Sequence, residues 1–240
     1  MQATRMGLGV GVLFAATVVA AASMAADGKQ IARQGNQTGA PACVACHGAG
    51  GEGLAAAGYP YLAGMNQQYL MRQLQAMKTG ARISPVMKPI AEALSQEEIE
   101  AVTAYFAGLP LPDKGLGEKG DAPRMARAHK LMTEGKWQQA GMPACIACHG
   151  PAGQGVGSTF PIIVGQPAAY IENQLQAWRQ GQRKSDPNNL MKSVAGKLAA
   201  EEIEALAVYL SAQSPAAAAA PGQPSQASAA TSSSQPKGEH

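Results

Sequence analysis

The chain has little of what small proteins usually fold around. Of 240 residues only three are Phe and two are Trp, and aromatics total 5%. Charged residues are 15%, against about 25% in an average soluble domain. Nineteen Lys and Arg face sixteen Asp and Glu, and the net charge of +3 is evenly spread. That excludes the basic patch of a nucleic-acid binder. Only one apolar run approaches membrane-spanning length, which excludes a multi-span membrane protein. No stretch alternates apolar and polar residues as a half-buried strand would. A hydrophobic content of 46% nevertheless rules out a wholly disordered chain.

The two ends separate from the body by composition. Arg5 precedes an uncharged apolar run over residues 7–22, which is 16 residues long. A span needs about 20. Small residues follow, with Ser23-Met24-Ala25 or Met24-Ala25-Ala26 at the cleavage positions. Residues 1–26 therefore read as an export signal, the alternative being an uncleaved N-terminal anchor. Either sends the remainder out of the cytoplasm, and the expected location is the periplasm. From Ser211 onward there is no Leu, Ile, Val or aromatic residue. Residues 214–240, rich in Ala, Pro and Ser, are expected to be a disordered tail, with nothing over 216–220 able to pack.

The body is one module used twice. Cys43-Val44-Ala45-Cys46-His47-Gly48 recurs as Cys145-Ile146-Ala147-Cys148-His149-Gly150, an offset of 102. Pro60 and Gly64 align with Pro161 and Gly165, and Tyr69, Gln73, Leu74, Gly80 and Arg82 with Tyr170, Gln174, Leu175, Gly181 and Arg183, at an offset of 101. Met87-Lys88 then aligns with Met191-Lys192, at an offset of 104. Two copies make a tandem domain pair rather than a solenoid. The expected domains are 27–108 and 123–213, joined by a linker over 109–122 that its prolines partly extend. Leu70, Leu74 and Met77 recur at helical spacing, as do Ile171, Leu175 and Trp178. Ile99, Val102 and Phe106 match Ile203, Leu206 and Leu210, with a capping box of Ser95 and Glu98 in the first copy only. The fold class is all-α: two small helical domains, each short of core and suited to packing around a large apolar group.

Cys-x-x-Cys-His names such a group. On one helical turn, thiols at i and i+3 and an imidazole at i+4 project to one side. They suit two thioether bonds to a porphyrin edge, with the His beneath the iron. Cys43, Cys46 and His47 form one set and Cys145, Cys148 and His149 the other, which uses every cysteine in the chain. Disulfides do not explain two motifs ending in His. A four-Cys zinc site would place its pairs about 15–20 residues apart. A thioredoxin-like pair lacks its strand–helix setting. Two covalent haem c groups are the expected cofactors.

A His leaves one axial position on each iron. The second copy has a single Met beyond its motif, Met191; the repeat pairs it with Met87 among Met65, Met71, Met77 and Met87. Sulfur from Met87 and Met191, both expected in a loop before the terminal helix, would raise the reduction potential and close the iron to substrate. The bland alternative is gap-filling in the core. The carbonyls of Pro60 and Pro161 are candidates to accept from the haem-binding His, unless these are ordinary turn prolines. Arg82 and Arg183 either pair with haem propionates or are solvated surface charges. His129 and His240 read as exposed and non-ligating. Loss of Arg5 leaves +2, and four propionates would bring the total to about −2.

These motifs, with Tyr69-Leu70-Met71-Arg72-Gln73-Leu74-Gln75 and its counterpart from Tyr170, and the Met segments before Glu-Glu-Ile-Glu-Ala, resemble the dihaem cytochrome c4 family over residues 29–213. The resemblance implies two cytochrome c lobes about a pseudo-twofold axis, with His47/Met87 and His149/Met191 on iron and the carbonyl role at Pro60 and Pro161. It implies a non-enzymatic one-electron carrier of the periplasm. The donor would be a cytochrome bc complex or a dehydrogenase, and the acceptor a terminal oxidase. An alternative is an electron-relay subunit of a membrane dehydrogenase or oxidase. A dihaem peroxidase fits less well, since it needs an open iron. A monomer, no nucleic-acid partner and at most peripheral membrane association are expected.

Overall fold

The structure is a computed structural model and describes residues 26–118 and 120–220. The leader, His240 and most of the tail lie outside the described residues. The first half runs through α1 (Gly28–Gln34), α2 (Val44–His47), α3 (Gln67–Lys78), α4 (Met87–Glu92) and α5 (Gln96–Ala107). The second half runs through α6 (Ala122–Thr133), α7 (Trp137–Ala140), α8 (Ile146–His149), α9 (Ala168–Arg179), α10 (Leu190–Gly196), α11 (Ala200–Ser211) and α12 (Pro215–Ala218). Among the described residues there is no sheet, only isolated bridges.

Side-chain caps start several of these helices. Asp27 accepts from Lys29 N and Gln30 N, Asn66 from Tyr69 N, and Asp121 from Arg124 N. Ser95 and Glu98 form the reciprocal box at α5. Ala199 has no side-chain acceptor, but Glu202 still takes the Ala199 N–H at 2.8 Å, so α11 keeps half of that box.

Within each half the opening and closing helices cross. α1 packs on α5 and α6 on α11, while α3 rests on α4 and α5, and α9 on α10 and α11. Gly28 permits the first crossing, because a Cβ there would lie 2.0 Å from the Ala101 carbonyl oxygen. Periodicity signals α3 and α5 but not α1, which buries only Ile31 and Ala32.

The halves are joined by more than the linker. Tyr61, almost fully buried, donates its hydroxyl to the Val164 carbonyl at 3.0 Å and exchanges two backbone bonds with the Gln166 amide. Residues 81–84 and 182–184 pair antiparallel, through Ile83 N to Gln182 O at 2.9 Å and Lys184 N to Ala81 O at 2.7 Å.

One expectation about the tail is corrected. Ser214 caps α12, Pro215 is buried against Gly165, and Ala216 N donates to the Pro112 carbonyl at 3.2 Å. Its residues pack because Gly165 leaves room for the Pro215 ring, a fit that composition does not display.

Candidate haem sites

Each motif forms a single turn, with His47 N donating to the Cys43 carbonyl and His149 N to the Cys145 carbonyl, both at 2.9 Å. The chain then doubles back. Gly53 N donates to the His47 carbonyl at 2.7 Å, with Gly53 at φ +85°; a Cβ there would lie 2.6 Å from Tyr61 N. This tight return carries the Pro60 carbonyl to 2.8 Å from His47 Nδ1, and in the second half the Pro161 carbonyl lies 2.8 Å from His149 Nδ1.

A carbonyl only accepts, so Nδ1 carries the proton and Nε2 keeps its lone pair. Burial holds both imidazoles below their ordinary pKa, despite the opposing effect of the carbonyl bonds. Each ring is therefore neutral and oriented, the state a metal ligand requires.

His47, Cys43, Cys46 and Met87 line one cavity of about 320 Å³; His149, Cys145, Cys148 and Met191 line a second of about 410 Å³. Both volumes fall within the range of about 300–1,000 Å³ that encloses cofactor-sized ligands. The remaining walls are largely apolar: Leu70, Ile90 and Phe106 in the first, and Ile171, Val194 and Leu206 in the second. The residues fit the group expected from the motif, with thiols, an available imidazole nitrogen and thioether sulfur, Met87 or Met191 included, around an apolar cavity. Burial pushes the Cys145 thiol up to about 11, which does not suit an attacking thiolate.

Met87 and Met191 stand in the first turns of the short helices α4 and α10, not in loops. Helices of six and seven residues are too short to announce themselves by periodicity. Of the other methionines, Met65 and Met77 also line the first cavity, and Met71 packs at the edge of the core. His129 is exposed, edge-on to Tyr209 at 6.0 Å.

Arg82 and Arg183 are not solvated surface charges. They are 6% and 4% exposed, and among the described residues neither is in an ion pair. Each donates to both Gln73 and Gln174, and each reaches the tyrosine hydroxyl of the opposite half. The partners missed in the sequence are Tyr69, Gln73, Tyr170 and Gln174. Their signal was identity between the copies, Tyr69 with Tyr170 and Gln73 with Gln174 at the same offset as Arg82 with Arg183. Met65, Tyr69, Gln73, Gln166, Tyr170 and Gln174 line both cavities, so the two sites share a wall.

The model of the Cytochrome c family matches residues 25–110 and 125–214. The chain belongs to the cytochrome c family. Within it, the chain is 35% identical to the crystal structure of cytochrome c4 from Pseudomonas stutzeri, covering 71% of this chain and 92% of that one at a TM-score of 0.63. The two tandem cytochrome c domains of this c4-like protein carry covalent haem c with iron. It is 45% identical over 196 residues to a "Thiosulfate dehydrogenase electron acceptor" of Stutzerimonas stutzeri, covering 81% of this chain and 90% of the relative. The thiosulfate dehydrogenase (TsdBA) of Marichromatium purpuratum matches with a TM-score of 0.73 and 41% identity, over 80% of this cytochrome. The cytochrome spans only 41% of that longer chain.

Proposed function

We propose that this dihaem electron carrier works in the periplasm as the electron acceptor of a thiosulfate dehydrogenase. The carrying observation is the 45% identity to a relative of that name, nearly end to end, against 35% to the cytochrome c4 structure. This favours the relay reading, with a dehydrogenase as donor. The likeness to cytochrome c4 keeps a second reading in view, with a cytochrome bc complex as donor and a terminal oxidase as acceptor.

Haem c supplies a one-electron iron couple. The chain's residues set its terms. Cys43 with Cys46 and Cys145 with Cys148 tether the groups. His47 and His149 ligate through Nε2, held in that tautomer by the Pro60 and Pro161 carbonyls. Met87 and Met191 complete the coordination and favour the reduced state. Closed coordination assigns the chain transfer rather than catalysis, and the shared wall gives an electron a short way from one site to the other.

The test uses oxidised holoprotein, a purified thiosulfate dehydrogenase and thiosulfate, followed by the visible haem spectrum. Reduction that requires both enzyme and thiosulfate supports the reading. Haems that ascorbate reduces but the enzyme does not would overturn it.

The export reading rests on residues 1–26. No helix among the described residues is long and apolar enough to cross a membrane.

A further inference from the structure

The likeness between the halves continues past α5 and α11. Leu111 and Pro215 stand five residues beyond Phe106 and Leu210, at the same offset of 104, and each seats on a glycine. A Cβ on Gly64 would lie 2.7 Å from Leu111 Cγ, and one on Gly165 would lie 2.3 Å from Pro215 Cγ. The same glycines are tied to the helix ends: Gly64 N donates to the Phe106 carbonyl at 2.9 Å, and Gly165 N to the Leu210 carbonyl at 2.7 Å. Leu116, between the halves, touches both. Its N–H donates to the Gly165 carbonyl at 3.1 Å, and its Cδ1 would lie 2.9 Å from a Cβ on Gly53. That Cβ would also lie 3.0 Å from the carbonyl carbon of Pro60. The tail fastens this linker from outside. Ser214 Oγ donates to the Asp113 carbonyl at 2.6 Å, and Gly117 N to the Ser211 carbonyl at 3.0 Å.

Gly64 and Gly165 follow Pro60 and Pro161 by four residues, in the loops whose carbonyls meet the two histidines. One end of each loop faces an imidazole and the other lies under the linker or the tail. We propose that Leu111, Leu116 and Pro215 are positioning residues for the haem-binding histidines. They press the two loops from outside and hold the Pro60 and Pro161 carbonyls on His47 and His149 Nδ1. Close packing transmits such pressure, because a well-filled contact has no slack to absorb it. An acceptor on the far nitrogen makes the imidazole a stronger donor to iron. A stronger donor favours the oxidised state, so a slackened loop favours the reduced one. The Leu111 and Leu116 side chains act on the first loop, and the Pro215 ring acts on the second.

The inference rests on His47 and His149 as iron ligands and is independent of the donor protein. Its test uses holoprotein carrying Leu111→Ala, Leu116→Ala or Pro215→Ala, after mass measurement shows two haems. Two readouts follow: the exchange with deuterium of the histidine ring N–H protons, by NMR of the reduced protein, and the two midpoint potentials. Met87→His, made separately, marks the wave of the first lobe. Leu111→Ala and Leu116→Ala should speed exchange of one ring proton by roughly three- to tenfold and raise the potential of the first lobe. Pro215→Ala should do the same to the other proton and the other wave. A lower melting temperature with both protons and both potentials unmoved would show a merely structural role and overturn the proposal. So would shifts to lower potential, or a Pro215→Ala shift confined to the first lobe. Wild-type ring N–H signals without the upfield displacement that a haem imposes on its axial ligand would instead overturn the ligand assignment.

Discussion

Arg82 and Arg183 exchange partners across the seam. Arg82 donates to Gln73 at 3.1 Å, Gln174 at 2.7 Å and the Tyr170 hydroxyl at 2.9 Å; Arg183 donates to Gln174 at 3.0 Å, Gln73 at 2.7 Å and the Tyr69 hydroxyl at 3.2 Å. The reciprocity defines a local twofold relation between the halves.

Arg82→Ala removes three hydrogen bonds in the buried seam at once and leaves Gln73 and Gln174 with Arg183 as their one remaining guanidinium. It should destabilise the holoprotein by about 2–4 kcal/mol in chemical denaturation. Arg82→Lys should recover less than half of that, because an ammonium cannot reproduce the planar fork.

The methionine assignment separates by lobe. Met87→His should lower the potential of one haem and Met191→His that of the other, since replacing Met with a stronger donor favours the oxidised iron. If spectroelectrochemistry finds both potentials unchanged, the ligands lie elsewhere.

Gly53→Ala should be costly out of proportion to one methyl group. The residue sits at φ +85° with Tyr61 N in the way, so the loss should be about 2 kcal/mol or more. Thermal melts read this directly, and Gly80→Ala, which has open space but also positive φ, is the control for backbone strain alone.

The second half should be more sensitive to acid than the first. Lys136 Nζ lies 2.6 Å from Glu202 Oε2, where the first half has the neutral Asn36 amide 2.9 Å from Glu98 Oε2. Burial alone would raise the Glu202 pKa; the bonds from Lys136 and Ala199 N outweigh it, with the Lys136 and Arg127 charges, and hold it below the ordinary value. Its stabilisation is complete above the unfolded carboxylate value of about 4.3 and fades as pH falls through the folded one. Glu202→Gln should flatten stability against pH in that window, measured by denaturant titration at stepped pH.

Truncation tests the docked tail. Ending the chain after Gln213 removes the buried Pro215 and should cost about 1–2 kcal/mol, whereas ending it after Ala220 should leave the melting temperature unchanged.

Much of this was legible because it is local. A motif confined to one turn shows in five letters, and α3 and α5 show in their apolar spacing. The His–Pro contacts could be guessed from repetition at 13 and 12 residues. What stayed hidden depends on distant partners. Arg82 meets residues 88 and 92 positions away, so its burial leaves no local mark. Pro215 reads as tail because the glycine that receives it, Gly165, is remote. The short helices bearing Met87 and Met191 lack the length for periodicity to appear.

Gln73 and Gln174 each accept from both guanidiniums. Severing the strap between the lobes would therefore not release two self-sufficient cytochromes. Each fragment would bare a cation and an amide made for its twin, so the duplicated module has become an obligate couple.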